Sequence, residues 1–259
     1  MAGDAESAPE PLDWQGRPLR CQDCPHEDIH AEGRCDLGKV CVADRRGKRI
    51  DRFFAHNPDL AARYLDHPYF EVRTLAAKHA SVFLLAPLKD DPEPEVRTMV
   101  AFRLPLSRAR EMRTDPDRRV RIAVTQRLEG RDLIAMLADE DYYVRLTAAR
   151  RVPPASLVMA VYDTEAEVRR EVARRIPLPT LVTMAGDPDP LVRLAVAERL
   201  PPARLTVLAR DVDMRVRFAV AERISPKYLA PLAEDPVEEI REAARRRIVS
   251  EGGQDGPWT

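Results

Sequence analysis

Apolar residues recur along this chain with a period of 24 residues. A β-branched residue followed directly by arginine marks each period, and no insertion or deletion interrupts the series. Small or apolar residues follow this marker after four, five and eight positions, which places them on one face of an α-helix. The series predicts eight helical repeats. Their markers are Val72-Arg73, Val96-Arg97, Val120-Arg121, Val144-Arg145, Val168-Arg169, Val192-Arg193, Val216-Arg217 and Ile240-Arg241.

Prolines and aspartates predict where the helices begin and end. An aspartate precedes the marker by five residues in seven of the eight repeats, often with proline behind it, as in Asp187-Pro188. Because aspartate is a favoured N-cap and proline a favoured first helical residue, we expect each helix to start at this pair. A second proline, such as Pro201, ends the helix after about three turns. The remaining stretch of about ten residues has room only for a short 3₁₀ turn.

These patterns predict an all-α fold. Alternating patterns typical of strands are scarce, and one repeat cannot bury its apolar face alone, so the repeats must stack into a solenoid. Each repeat contributes one α-helix and one short 3₁₀ helix. The predicted order is an acidic flexible N-terminus over 1–18, a four-cysteine iron–sulfur segment over 19–46, a degenerate capping repeat over 47–66, eight helical repeats over 67–249 and a tail over 250–259.

Two columns of arginine run through the repeats. The arginine of each marker falls inside the apolar arc and needs an acceptor, which the aspartate column supplies at one carboxylate per arginine. We therefore predict a structural Asp–Arg ladder in preference to a basic stripe for phosphates. The second column lies seven residues after the β-branched marker residue and consists of Arg103, Arg127, Arg151, Arg175, Arg199, Arg223 and Arg247. For these arginines, a solvated face or local ion pairing is favoured over a binding surface.

The cysteines are confined to one short segment. They are Cys21, Cys24, Cys35 and Cys41, and no other cysteine occurs in the chain. Such clustering of soft ligands predicts a metal site built from all four thiolates. Zinc ribbons generally present two close pairs, so the five residues between the last two cysteines favour an iron–sulfur cluster over structural zinc. Disulfides or free thiols remain the third alternative. His26 and His30 lie nearby and are predicted not to be ligands.

Composition restricts the environment and the partners. The chain is 44% hydrophobic, which suffices for a core, and its 42 basic against 43 acidic residues give no general attraction to nucleic acid or anionic lipid. No apolar run is long enough to span a bilayer, and the acidic N-terminus is unlike a signal peptide. We therefore expect a cytoplasmic protein without a membrane partner, in a compartment that disfavours disulfides.

The four cysteines and the repeat together resemble a known family. The unit Asp-Pro-x-x-x-Val-Arg-x-x-x-Ala-x-x-Arg-Leu-Pro, best represented by Asp187 to Pro201, is similar to that of leucine-rich repeat variant proteins with an N-terminal iron–sulfur segment. The resemblance implies a right-handed superhelix of alternating α- and 3₁₀-helices, and a 4Fe-4S cluster on the four cysteines. It also implies, more weakly, an association with nitrogen-fixation genes. HEAT-like repeats also pair Asp with Arg, but their units are longer.

The sequence favours a binding function over catalysis. It contains no Ser-His-Asp arrangement, glycine-rich phosphate loop or His-Glu-x-x-His motif, so we expect no enzyme. Solenoids usually hold another macromolecule. We predict a scaffold for a partner, expected to be a protein, with a cluster of structural or redox-responsive role. The alternatives are an electron-transfer module docked by its solenoid, and structural zinc in place of the cluster; nucleic acid is not the expected partner.

Overall fold

The main helix of each repeat lies where the 24-residue period predicts it. The structure is a computed structural model that describes residues 10–252, and it divides between Leu128 and Glu129 into two units. The first unit contains α1 (Glu27–Ala31), α2 (Gly47–His56), α3 (Phe70–His79), α4 (Pro94–Arg103), α5 (Leu106–Ala109) and α6 (Arg118–Thr125). The second contains α7 (Gly130–Ala135), α8 (Tyr142–Ala149), α9 (Ala166–Arg175), α10 (Leu178–Leu181), α11 (Pro190–Arg199), α12 (Met214–Ala221) and α13 (Glu238–Gly252).

Short 3₁₀ helices connect the main helices, as predicted. In the first unit they are Cys21–Asp23, Pro58–Tyr64, Val82–Leu84, Ala86–Asp90 and Arg110–Thr114. In the second unit they are Met136–Ala138, Pro154–Ala160, Val182–Gly186, Pro202–Leu208, Pro226–Tyr228 and Leu232–Glu234. Residues 10–252 contain no strand, only isolated β-bridges near the N-terminus. The all-α repeat fold is therefore confirmed.

Within each unit the main helices stack in sequence order. In the first unit α2 packs on α3, α3 on α4 and α4 on α6. In the second unit α8 packs on α9, α9 on α11, α11 on α12 and α12 on α13. The β-branched marker residues are buried in every repeat, together with the apolar positions four and eight residues later in the internal repeats. Each layer thus covers the apolar face of its neighbour, which is the arrangement that the repeat pattern predicts.

The helices start later than predicted. The N-cap of α11 is Asp189, whose carboxylate accepts hydrogen bonds from the backbone N–H groups of Leu191 at 2.8 Å and Val192 at 3.2 Å. The predicted N-cap, Asp187, lies two residues earlier and accepts from the N–H of Asp189 at 2.8 Å. Its carboxylate also binds an arginine of the preceding repeat. The aspartate therefore caps a turn before the helix, because its side chain serves the contact between repeats.

The predicted Asp–Arg ladder is present, with its rungs running between consecutive repeats. Arg193 donates from Nε to Asp211 Oδ2 at 2.6 Å and from Nη2 to Oδ1 at 2.8 Å, a bidentate pair. The aspartate six residues before the arginine supplies a backbone carbonyl instead, as Arg193 Nη1 donates to Asp187 O at 2.7 Å. The same geometry recurs in Arg73–Asp91, Arg97–Asp115, Arg145–Asp163, Arg169–Asp187 and Arg217–Asp235.

The second arginine column also points into the stack. Arg199 Nη1 donates to the backbone carbonyls of Ala173 at 2.7 Å and Ile176 at 2.8 Å, at the C-terminal end of α9. The last carbonyls of a helix lack intrahelical donors, and a cation is favourable there. Burial lowers the pKa of Arg199. Arg199 therefore binds the carbonyl end of the preceding helix instead of facing solvent. The same contact to the preceding helix is made by Arg103, Arg127, Arg175, Arg223 and Arg247.

Replacing Arg199 with alanine is expected to lower the free energy of unfolding by about 1–3 kcal/mol, because two partly buried carbonyls lose their donor. Urea unfolding followed by circular dichroism measures the change. Arg204, an exposed arginine of the next short helix, provides the control, and its replacement should change stability by less than about 0.5 kcal/mol. Equal effects of the two substitutions would show that the second column does not cap helices.

The two ends of the chain differ from the predicted boundaries. At the N-terminus, residues 12–18 form bridges between Leu12 and Pro18 and between Asp13 and Asp44, so flexibility is not observed there. At the other end α13 continues through Ser250 to Gly252. Residues 1–9 and the rest of the predicted tail, including Trp258, lie outside the described residues. Among the described helices, none has the length and hydropathy needed to cross a bilayer.

Candidate metal centre

All four predicted ligands line one cavity. Its volume is about 480 Å³, and the sulfur-bearing residues on its wall are Cys21, Cys24, Cys35 and Cys41. All four are free thiols of intermediate exposure. The local chain brings together residues that are twenty positions apart in sequence. That these four cysteines bind a metal stays a prediction.

Two turns place the first three cysteines. Cys21 opens a 3₁₀ turn that is closed by a hydrogen bond from Cys24 N–H to Cys21 O at 3.0 Å, which turns both side chains toward the cavity. Helix α1 follows and ends at Ala31, and two residues later Gly33 has a φ of 72°, which is accessible to glycine at little cost. Arg34 N–H then donates to Ile29 O at 3.0 Å, which reverses the chain. Cys35 follows this reversal and returns to the cavity wall.

The last cysteine is fixed to the capping repeat. Asp36 and Val40 form a tight β-bridge around Gly38, whose φ is 80°. Immediately afterwards, Cys41 donates its backbone N–H to Arg49 O in α2 at 3.2 Å. The thiol segment is thus attached to the first main helix by its own ligand-bearing residue. Movement of α2 would therefore be transmitted directly to Cys41.

The N-terminal loop closes one wall of the cavity. The buried carboxylate of Asp13 accepts hydrogen bonds from Gln15 N–H at 2.9 Å, from Arg17 N–H at 2.8 Å and from Arg17 Nε at 2.8 Å. This loop presents Trp14 and Arg17 to the cavity. The Trp14 ring also stacks on Tyr69, with 5.8 Å between ring centroids. The loop that was predicted to be flexible is therefore part of the site.

Both histidines near the thiols have other partners. His30 Nδ1 lies 3.1 Å from Cys35 O, and His26 Nε2 is hydrogen-bonded to the Tyr64 hydroxyl. Burial lowers the pKa of His26, which keeps its imidazole neutral. Burial, followed by the charges of Cys24 and Cys41, raises the pKa of Tyr64 to about 12. The phenol therefore keeps its proton and can donate a hydrogen bond to His26 Nε2. That neither histidine is a ligand stays a prediction.

The surroundings raise the pKa of three of the four thiols. Burial raises the pKa of Cys41 to about 11, and it also raises the pKa of Cys24. At Cys35 burial again acts first, and negative charge on Cys24 and Cys21 adds to it. Each thiolate thus disfavours the formation of the next. Four thiolates can coexist here only with positive charge among them, which a metal centre supplies.

In the metal-free protein, Cys41 is expected to react slowly with iodoacetamide. With its pKa at about 11, only about one Cys41 side chain in a thousand is a thiolate at pH 8. Its rate should rise about tenfold per pH unit until the pH approaches that value. Mass spectrometry of peptides after timed alkylation measures the rate, with unfolded protein as the reference. Reaction at the unfolded rate at pH 8 would contradict the burial of this thiol.

The donor set fits an iron–sulfur cluster or a zinc ion, because four thiolates are the ligands of both. Within residues 10–252, no three His, Cys, Asp or Glu side chains lie close enough together to hold one metal ion. The four cysteines nevertheless line one cavity, whose volume is about 480 Å³.

Charged residues near the four cysteines form ion pairs or line the cavity, and the sequence did not predict which of them do so. Lys39 forms an ion pair with Asp36 at 3.0 Å, and Arg34 forms pairs with Glu32 and Asp59. The arginines on the cavity wall are Arg17 and Arg20.

Two further residues near the site escaped prediction because their contacts are distant in sequence. They are Tyr64 and the buried Asn57, whose Nδ2 donates to Arg34 O at 3.0 Å and to Phe53 O at 2.9 Å.

Comparison with known proteins agrees with both parts of the chain. Residues 11–63 match the family described as LRV protein FeS4 cluster, and residues 166–189 match the leucine-rich repeat variant family. A solved structure, titled a leucine-rich repeat variant with a novel repetitive protein structural motif, is 40% identical. It aligns over 88% of this chain and 98% of its own, with a TM-score of 0.85. The chain belongs to the leucine-rich repeat variant family.

A curated relative of this leucine-rich repeat variant protein covers less of the chain. It is an uncharacterized 27.7 kDa protein in the nifB 3' region of Rhodobacter capsulatus, 54% identical over 80 residues. The match spans 31% of this chain and about a third (33%) of the relative. The family assignment therefore rests on the solved structure. The match of residues 11–63 identifies the thiol segment as one of the iron–sulfur type.

Proposed function

We propose that Cys21, Cys24, Cys35 and Cys41 hold a 4Fe-4S cluster at the N-terminal end of a protein-binding scaffold. The observation that carries the proposal is the common cavity of four free thiols in a segment that matches an FeS4 family. When bound, such a cluster can accept or release one electron. The segment itself buries few apolar residues, among them Ile29 and Val42, so ligation also replaces a core.

The chain's own residues prepare this site. The turn at Cys21 and the reversal at Gly33 hold the thiols on one wall, and Arg17 and Arg20 bring positive charge to the same wall. Positive side chains lessen the repulsion among four thiolates. Reduced thiols of this kind are typical of a reducing compartment, and we assign the protein to the cytoplasm.

The repeats are proposed to bind a protein and to catalyse no reaction. Arg193 and Arg199, one from each arginine column, donate into the stack, which argues against a basic stripe for nucleic acid along these columns. Large apolar side chains are exposed in the segments between the main helices, a feature typical of protein-binding surfaces. They are Phe83, Val158, Met159, Tyr162, Val207 and Val212.

A second candidate function is electron transfer, in which the solenoid docks a redox partner. It is favoured by the intermediate exposure of all four cysteines, since electron transfer requires close approach to the cluster. In this case the apolar segments would bind that partner. Zinc in place of the cluster would exclude electron transfer and leave the scaffold unchanged.

Anaerobic redox titration separates the two roles of the cluster. The protein is reduced and reoxidised stepwise while electron paramagnetic resonance follows the cluster and circular dichroism follows the helices. A structural cluster predicts that reduction is accompanied by loss of helix content and that reoxidation does not restore the cluster. Full reversibility at an accessible potential favours the electron-transfer role. A protein that binds zinc and lacks any redox signal contradicts the cluster itself.

A further inference from the structure

One tyrosine of the capping repeat connects the thiol segment to the stacked helices. Tyr64 is the last residue of the 3₁₀ helix Pro58–Tyr64, and its hydroxyl donates to Nε2 of the buried His26. His26 lies two residues after Cys24, and its backbone carbonyl lies 3.9 Å from the Cys35 sulfur. This hydrogen bond therefore ties the beginning of the stretch between the second and third cysteines to the capping repeat.

The tyrosine is itself held rigidly. Its ring lies edge-on to Phe54, with 5.5 Å between centroids, and to Phe53, with 6.5 Å. Both phenylalanines belong to α2 and are almost completely buried, at 0% and 1% exposure. The His26 ring also packs against Phe53, at 5.3 Å. The position of the Tyr64 hydroxyl is thus set by the core of the capping repeat, which is independent of the thiol segment.

Other contacts place the thiol segment on the same capping repeat. Asn57, which is completely buried, donates to Arg34 O next to Cys35, and Cys41 N–H donates to Arg49 O. Both of these contacts use a backbone atom of the thiol segment. The Tyr64 contact differs because it joins two side chains, so it can be removed without disturbing the backbone of either partner.

We propose that Tyr64 is a positioning residue for the four-thiol centre and that it acts through His26. The inference rests on the proposed function of the four cysteines as ligands. By holding His26, Tyr64 keeps the segment between Cys24 and Cys35 at the cavity wall and limits the opening through which the bound metal is lost. Residues that orient ligands in this way typically change metal affinity by about 10- to 100-fold when they are replaced.

The test is the rate of metal release from the full-length protein. Protein purified anaerobically is mixed with an iron chelator, and the release of iron is followed by absorbance. Tyr64→Phe keeps the ring and removes the hydroxyl, so release is expected to be about 10- to 100-fold faster than in the wild type. His26→Ala should give a similar rate. The double variant should be no faster than the single ones, because both substitutions remove the same hydrogen bond.

The matched control is Tyr69→Phe. Tyr69 also belongs to the first unit, and its hydroxyl donates to Glu71 Oε2 at 2.6 Å, not to a residue of the cavity. Phenylalanine keeps the ring that stacks on Trp14, so the release rate should stay within about twofold of the wild type. A thermal melt of each metal-loaded variant distinguishes positioning from general destabilisation: release should accelerate at a temperature at which helix content is unchanged.

Each outcome has a defined meaning. Unchanged release in Tyr64→Phe and His26→Ala overturns the proposal, as does release that accelerates only where the helices melt. If the purified protein contains zinc, the cluster is wrong, and the same assay with a zinc chelator still tests Tyr64. A protein that binds neither iron nor zinc after reconstitution overturns the proposed function and this inference together.

Discussion

Replacing Asp211 with alanine is expected to lower the free energy of unfolding by about 3 kcal/mol, because the charge of Arg193 stays inside the stack without its carboxylate. The side chain of Asp211 is 4% exposed and that of Arg193 11%, so solvent replaces the lost contact poorly. Arg193 keeps its hydrogen bonds to the Asp187 and Pro188 carbonyls and cannot easily move outward. Urea unfolding of the full chain measures the change.

Two further variants test whether the loss of stability in Asp211→Ala comes from the buried Asp–Arg pair of the ladder. Glu222 forms an exposed pair with Arg246 at 3.3 Å, and Glu222→Ala should cost less than about 1 kcal/mol. The double variant Arg193→Met and Asp211→Ala should cost less than the sum of its single variants, since no unpaired charge is left in the stack. Additive effects, or equal effects of Asp211→Ala and Glu222→Ala, would show that the ladder is only a surface feature.

Replacing Cys24 with serine is expected to abolish stable metal binding. Charge on Cys24 influences the pKa of both Cys35 and Cys41, which places it near both thiols. Iron content should fall to less than about a tenth of the wild-type value, because a hydroxyl replaces a thiolate of this soft centre. Hydrogen exchange should then increase across residues 19–46, where ligation replaces a core. Inductively coupled plasma analysis and exchange mass spectrometry provide the two measurements.

His30 offers the control for this prediction. It lines the same cavity, its Nδ1 contacts a backbone carbonyl, and we expect it not to be a ligand. His30→Ala should retain iron at nearly the wild-type content. Loss of iron in His30→Ala together with its retention in Cys24→Ser would mean that the ligand set is wrong.

The repeat architecture could be predicted because it depends on a local pattern that recurs. The apolar positions after each marker fix the helical face, and a fixed period requires each layer to pack like the previous one. The start of each helix could not be predicted in the same way. Asp187 followed by Pro188 has the local signature of an N-cap, yet its carboxylate is used by Arg169 of the preceding repeat. The contact between repeats therefore moves the start of the helix two residues beyond the position that the local sequence favours.

The site was predictable in its ligands and not in its supports. Cysteine is rare in this chain, so its clustering alone points to metal chemistry. Tyr64 and Asn57 carry no such signal, because their contacts with His26 and Arg34 span 38 and 23 residues of sequence. The second arginine column was ambiguous for a related reason. Its acceptors are backbone carbonyls, which no residue type marks.

Iron and acid-labile sulfide in the anaerobically purified protein test the central claim most directly. A 4Fe-4S cluster on four cysteines predicts about four iron and four sulfide per chain, with electron paramagnetic resonance of the reduced form typical of such a cluster. One zinc per chain without sulfide, or four cysteines that all remain alkylatable in the protein as isolated, would contradict it.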